Sequence, residues 1–148
     1  MWAAFIGGCL VALAMGSSAR AGTVLIKSEE AALPPPSTAK TVSLTTRGIT
    51  RRPSIVLVSP EASVTSPFVL QFKFEAHGGS VIRPNSFHLI YLRTPNVDLT
   101  ARVRPYVTAN GVIVTDAEAP PGEHMLRVEI SDNENRDSSA VFVVNVRK

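Results

Sequence analysis

The sequence has very little cysteine and tryptophan, and this shortage excludes several kinds of protein. Among its 148 residues there is one cysteine and one tryptophan, Cys9 and Trp2, and both stand near the start of the chain. If this start is removed on export, no thiol remains, which excludes cysteine catalysis, zinc–cysteine sites and thiol redox chemistry in the rest of the chain. The fold must then be held by an apolar core without disulfides.

The first 21 residues have the pattern of an export signal. An apolar run is followed by small residues and the triplet Ala19-Arg20-Ala21, which is typical of a signal peptide and its cleavage site, although the usual basic residues at the very start are missing. The run breaks at Gly16, short of the roughly 20 residues that a membrane span needs. We therefore predict a signal peptide over residues 1–21, a periplasmic or extracellular product, and no stable membrane span after cleavage.

Residues 22–53 show no sustained hydrophobic period. They contain Pro34-Pro35-Pro36 among serine, threonine and alanine, a composition that favours an extended, flexible spacer. We predict a disordered, Pro/Ser/Thr-rich linker with a basic end, in which Arg51 and Arg52 are candidate contacts for an acidic partner. The rest of the chain has nine basic and ten acidic residues, without the basic patch that nucleic-acid binding requires.

From Ser54 onward, short runs of alternating apolar and polar residues replace this composition. The clearest run is FVLQFKFEA, in which Phe68, Leu70, Phe72 and Phe74 share one face. Period two is typical of a β-strand with one face in a core and the other in water.

Further short runs, separated by Pro, Gly and Asn, complete the pattern. Residues 97–107 are ambiguous, with Pro105 favouring an edge strand, and Asn110-Gly111 favours a hairpin turn because both residues tolerate positive φ. We predict an all-β fold, an antiparallel β-sandwich of about seven strands over residues 54–148 with a single core. The other predicted strands cover residues 54–58, 87–93, 112–115, 125–131 and 139–146.

The stretch PPGEHMLRVEISD, residues 120–132, has two interpretations. Its glutamates and His124 are the residue types of an acid/base or metal site, but Leu126, Val128 and Ile130 alternate with polar neighbours as in a half-buried strand. At about 3.3 Å per residue, Glu123 and Glu129 would lie roughly 20 Å apart and could not act on one substrate. The alternation favours a strand.

The same residues resemble a known family. The spacing Gly122-x-His124-x-Leu126-x-Val128-x-x-x-Asp132 is similar to the G-x-H-x-L-x-V-x-x-x-D-x-x-G-N run of bacterial immunoglobulin-like (fibronectin type III-like) β-sandwich domains. The resemblance covers most of residues 54–148, and many unrelated functions use this architecture.

The resemblance implies structural roles for four residues. This run would form the penultimate strand and the turn into the last one. His124 would be a corner residue bonded to the backbone, after the turn that contains Gly122, and Asp132 would organise the next turn through its side chain. Asn135 stands where the family has glycine, and asparagine is a residue that tolerates positive φ.

Catalytic and metal-binding patterns are weak. The sequence has no G-x-S-x-G nucleophile motif, and its three histidines, His77, His88 and His124, lack the close spacing of metal ligands. The acidic run 132–137 lacks the glycine and the glutamate that a calcium loop of the EF-hand type requires. We predict no catalytic residue, no cofactor and no metal ligand.

The leading hypothesis is a non-enzymatic exported module that binds another protein or serves a structural role. Residues 87–92, FHLIYL, are apolar on both faces, so Ile90 and Leu92 are either covered by residues 97–107 or form an exposed partner site. Two alternatives are copper or zinc handling through surface histidines, and carbohydrate binding, against which the shortage of tryptophan argues. The candidate partner contacts are Tyr91, Leu92, Tyr106, Arg51 and Arg52.

Overall fold

The computed structural model describes residues 22–36 and 51–148; the predicted signal peptide and residues 37–50 of the predicted linker lie outside this part of the chain. No helix in these two described segments is long and apolar enough to cross a membrane. The helical elements are α1 (Ser28–Ala31), α2 (Thr100–Val103) and 3-10 turns at Pro84–Ser86 and Arg104–Tyr106. The strands are β1 Thr23–Val24, β2 Ser54–Ser59, β3 Val64–Thr65, β4 Phe68–Glu75, β5 His88–Tyr91, β6 Val97–Asp98, β7 Val107–Thr108, β8 Gly111–Glu118, β9 Gly122–Ser131 and β10 Asp137–Arg147.

The strands form two sheets. Sheet A has the order β1-β8-β4-β2, with β7 also beside β8, and sheet B has the order β3-β10-β9-β5-β6. Strand β1 runs parallel to β8 and β3 runs parallel to β10, whereas the other neighbours are antiparallel. The orders β2-β4-β8 and β10-β9-β5-β6 correspond to strands A-B-E and G-F-C-C′ of an immunoglobulin-like sandwich. The predicted all-β immunoglobulin-like fold is therefore confirmed.

The alternation in β4 places its large side chains between the sheets. Phe68, Leu70, Phe72 and Phe74 are all buried, whereas the residues between them face outward. The ring of Phe72 lies 5.4 Å from that of Phe142 on the opposite sheet, measured between centroids. Burying each such side chain contributes about 1.5–3 kcal/mol, so this one strand supplies a large part of the core.

The structure differs from the predicted flexible linker over residues 22–36, which we call the N-terminal strap. Leu25 and Ile26 are only 1% and 3% exposed and belong to the core. Their backbone N–H groups both donate to the Glu118 carbonyl oxygen, at 2.9 and 3.2 Å. Two buried aliphatic side chains and a strand pairing hold the strap to the edge of sheet A.

An ion pair also holds the strap. Arg102 of α2 donates to both carboxylate oxygens of Glu30, at 2.8 and 2.5 Å, and to the Leu25 carbonyl oxygen at 2.7 Å. The hydrogen bond from Arg102 lowers the pKa of Glu30. Further along, the Thr94 N–H donates to the Pro34 carbonyl oxygen at 3.0 Å.

Residues 97–107 also differ from the prediction of an edge strand. Only β6 pairs with β5, and the chain then turns into α2 and a 3-10 turn that contains Pro105. Leu99 and Val103 stand four residues apart, so a helical turn buries both side chains on one side, which a strand would not do.

The predicted Asn110-Gly111 turn forms, and the expected positive φ occurs at Gly111, where φ is 155°, but not at Asn110. Ala109 and Asn110 are the two residues between the paired Thr108 and Gly111, and Asn110 does not adopt positive φ. Gly111 is needed because a Cβ at this position would overlap the Phe72 carbonyl oxygen on β4. Positive φ and the close approach of two backbones therefore both favour glycine at this position.

We expect Leu25→Ala to lower the free energy of unfolding by about 2–5 kcal/mol, because it leaves a cavity in the core. Urea denaturation followed by fluorescence or circular dichroism measures this change. Val24→Ala is the matched control, since Val24 is exposed, and its effect is expected to stay within about 0.5 kcal/mol. Equal stability of the Leu25→Ala variant and the unmodified chain would mean that the strap does not pack in solution.

Candidate functional site

His124 lies inside the sandwich at the end where β9 begins. Its side chain is 1% exposed, and both ring nitrogens have partners. Nε2 lies 2.7 Å from the Pro120 carbonyl oxygen, which can only accept, so Nε2 carries the proton. Nδ1 therefore accepts from the Tyr91 hydroxyl at 3.0 Å, and the same hydroxyl accepts from Arg93 Nε at 2.8 Å.

The surroundings of His124 favour its neutral form. Burial lowers the pKa of the imidazole by more than the bond to the Pro120 carbonyl oxygen raises it, and the positive charge of Arg93 lowers the pKa further. If Nδ1 carried a second proton, it could no longer accept the hydrogen bond from the Tyr91 hydroxyl. The neutral ring thus ties the loop at Pro120 to strand β5, which is a structural function.

Asp132 organises the turn between β9 and β10. One carboxylate oxygen accepts from the N–H groups of Glu134 and Arg136 at 2.9 Å each, and the other accepts from Arg136 Nε at 2.7 Å. Burial raises the pKa of this carboxyl, but the bonds from the Arg136 backbone and side chain and from the Glu134 N–H outweigh burial and lower it to about 2. Asn135, at the tip, has φ of 58°, and Gly122, where β9 begins, has φ of 138°.

The structure does not bring the three histidines together. His77 lies past the end of β4, with Nε2 2.7 Å from Ser54 Oγ, and His88 is exposed on the outer face of β5 opposite Glu129. His124 is on the inner face and at the other end of β9. Within the described residues, no three His, Cys, Asp or Glu side chains cluster as metal ligands would.

The candidate partner contacts lie on separate surfaces, and one of them is wrong. Tyr91 is 0% exposed, because β5 points it inward with Phe87 and Leu89, so it cannot contact a partner. Tyr106 is exposed at the edge of sheet A, where its hydroxyl lies 3.0 Å from Thr23 Oγ1. Arg51 and Arg52 are exposed ahead of β2, and Leu92 is half-buried on the outer face of sheet B.

Leu92 belongs to a group of apolar side chains that cover two neighbouring rows of sheet B. In one row Val143 of β10 is opposite Met125 of β9, whose carbonyl oxygen accepts from the Leu92 N–H at 2.9 Å. In the next row Val141 and Ile90 flank Arg127 from both sides. We call this surface the apolar stripe: Ile90, Leu92, Met125, Val141 and Val143.

The stripe is open to solvent at β10 and bordered by charge. Val141 and Val143 are 49% and 46% exposed. Arg127 Nε lies 2.9 Å from Glu129 Oε1, so the one cation within the stripe is directed toward its rim. Segment 97–107 contributes β6 beside β5, within the sheet, and then turns into α2, with Leu99 and Val103 buried in the core.

The outer face of sheet A has exposed apolar residues in a different arrangement. Ile113 and Val56 are 50% and 44% exposed, but Ile113 is opposite Gln71 and Val56 is opposite Lys73. Single apolar side chains among polar neighbours are normal on protein surfaces, whereas adjacent ones form a patch that favours association. Val69 of sheet A is also 40% exposed, and Val141 of sheet B is likewise opposite the charged Arg127. The advantage of sheet B as a candidate binding face is its row of three apolar side chains, Val143, Met125 and Leu92.

Comparisons with known proteins do not identify a function for this chain. No family model matches the chain, and no curated protein matches it. Among solved structures, the chain is similar to the PKD domain of the human VPS10 domain-containing receptor SorCS2, with 13% identity, 98% of this chain and 95% of that chain covered, and a TM-score of 0.38. At this identity and TM-score, nothing about function passes from that receptor to this chain.

The stability of the chain is expected to fall as the pH drops below 6.5, the ordinary pKa of histidine. Because the pKa of His124 is lower when folded, the unfolded chain binds more protons in the window between the two pKa values, so stability is full above 6.5 and is lost as the pH falls toward the folded value. Urea denaturation at half-unit pH steps measures this loss.

Two variants separate His124 from other titrating groups. His124→Gln should remove the slope just below pH 6.5, whereas His88→Gln should keep it, since His88 is exposed. The carboxyl of Asp132 acts in a separate, more acidic window, where its contribution is lost as the pH falls from 3.8 through about 2. An unchanged slope in His124→Gln would contradict the assignment.

Proposed function

We propose that this chain is a non-enzymatic immunoglobulin-like module that binds another protein through the apolar stripe of sheet B. The observation that carries this proposal is the row formed by Val143, Met125 and Leu92 on the open face of one sheet, beside which Val141 and Ile90 flank Arg127. An apolar centre surrounded by a polar rim is the usual composition of a protein–protein interface.

The arrangement of ionisable groups supports a binding role over a catalytic one. His124 has both nitrogens bonded, and Asp132 is saturated by backbone and arginine donors, so the two buried groups have structural partners. Acid–base catalysis needs a group within hydrogen-bond reach of a substrate proton. Glu123 and Glu129, both facing outward on β9, stand six residues apart on the strand.

The second part of this proposal is that the chain is exported. The N-terminal pattern of an apolar run and an Ala19-Arg20-Ala21 triplet supports secretion to the periplasm or beyond. The partner would then be a protein of that compartment or of the cell surface.

Site-specific photo-crosslinking tests the stripe. A photoreactive residue at Leu92, at the rim of the stripe, is expected to give a discrete adduct with one protein in extracts of the native host. Met125→Lys, which places a charge at the centre of the stripe, should reduce the yield of that adduct at least about tenfold, because a desolvated charge in an interface costs several kcal/mol.

Ile113→Lys is the matched control, since it puts the same charge on a central strand of the other sheet. It should leave the yield unchanged. Equal loss in both variants, or no discrete adduct at Leu92, would contradict binding through sheet B. The melting temperature of each variant shows whether its sandwich remains folded.

A further inference from the structure

Strand β10 has a long edge that the described residues leave largely unpaired. Its ladder with β9 runs through ten consecutive pairs, from Asp137 to Val146, without a shift in register. On its other side, among the residues that the structure describes, β3 pairs with it only at Val146 and Arg147. Pro53 reaches the start of this edge by accepting from the Ser138 hydroxyl at 2.6 Å, a bond to a side chain.

This edge lacks the usual protection against strand pairing. Natural sheets protect their edges with short strands, bulges, prolines or charged side chains. The other outer strands follow this rule: β1 and β6 have two residues each, and β2 contains a register shift before Pro60. Residues 138–146 of β10 contain no proline and no charged residue.

The charges at the two ends of β10 indicate what would pair with it. Asp137 opens the strand and Arg147 closes it, and both belong to its outward-facing row. In an antiparallel pair of two β10 strands centred on Val141, Asp137 of each copy is opposite Asn145 and one diagonal step from Arg147 of the other copy. Diagonal neighbours on a sheet are within reach of long side chains. A parallel pair would place like charges together.

We propose that two copies of this chain associate through the edges of their β10 strands, antiparallel and centred on Val141. The two five-stranded B sheets would become one continuous sheet, with Val141 of one copy opposite Val141 of the other. The two apolar stripes would then lie side by side on one face. This inference does not depend on the proposed partner, because it concerns the edge of sheet B and a second copy alone.

The oligomeric state of the purified chain tests this association. Sedimentation equilibrium or light scattering is expected to show a dimer that dissociates on dilution. Asp137→Arg and Arg147→Asp should each weaken the dimer about tenfold, because each variant replaces two opposite-charge contacts by two like-charge contacts. The double variant Asp137→Arg/Arg147→Asp should restore the affinity, which association through any other surface would not do.

Proline substitution tests the backbone pairing itself. Successive N–H groups of β10 alternate between β9 and the open edge, so one of Ser139→Pro and Ala140→Pro removes only an edge donor. The variant that keeps the melting temperature of the unmodified chain should be monomeric. If both prolines unfold the sandwich, the charge-reversal series decides by itself.

A chain that stays monomeric at all concentrations up to about 1 mM would overturn the proposal, because a dissociation constant above this value is too weak for a specific interface. A dimer whose affinity neither charge reversal changes would also overturn it. Neither result depends on an extract or on another protein. Failure of the self-association therefore remains distinguishable from failure of the crosslinking through Leu92.

Discussion

The two-residue period of β9 is the constraint on which the rest of the structure depends. This strand lies between β5 and β10, and its inward residues close the core of sheet B while Met125, on its outward side, lies in the middle of the apolar stripe. A slip of one residue would exchange the two faces and put Arg127 between the sheets. The bond of His124 to Pro120, at the beginning of β9, and the carboxylate of Asp132, just after its end, hold the strand in register at both ends.

His124 and Asp132, whose residue types first suggest catalysis or metal binding, instead help to hold β9 in register. A neutral imidazole and an ionised carboxylate are each surrounded by partners that suit that protonation state, and each joins a loop to a strand. Buried polar groups that are fully bonded specify one arrangement of a sandwich whose core side chains are otherwise interchangeable aliphatics and aromatics. The surface proposed for binding lies on the outer face of sheet B instead and consists of apolar side chains.

How much of the structure the sequence could predict depends on how far apart in the chain the interacting residues are. The strands β4 and β9 were predictable because alternation is a local property. The strap was missed because its attachment is remote: Glu30 and Arg102 are 72 positions apart, and β1 has only two residues. The part of the stripe on β5, Ile90 and Leu92, was one of two outcomes that the sequence left open. The part on β10 was missed because residues 140–144 are apolar on both faces, and the pairing with β9 shows that Val141 and Val143 face outward. The phase of β5, which buries Tyr91, is likewise set by its alignment with Leu126.

The strap has a practical consequence for where this domain begins. A recombinant fragment starting at residue 54, as composition suggests, would lose Leu25 and Ile26 from the core and leave the guanidinium of Arg102 without its carboxylate. It would also uncover the margin of β8 at Ala117 and Glu118, where β1 is aligned. Such a fragment would expose unpaired backbone groups along β8 and an apolar cavity that the N-terminal strap fills in the longer chain. Low solubility of the fragment would then be a result of the truncation.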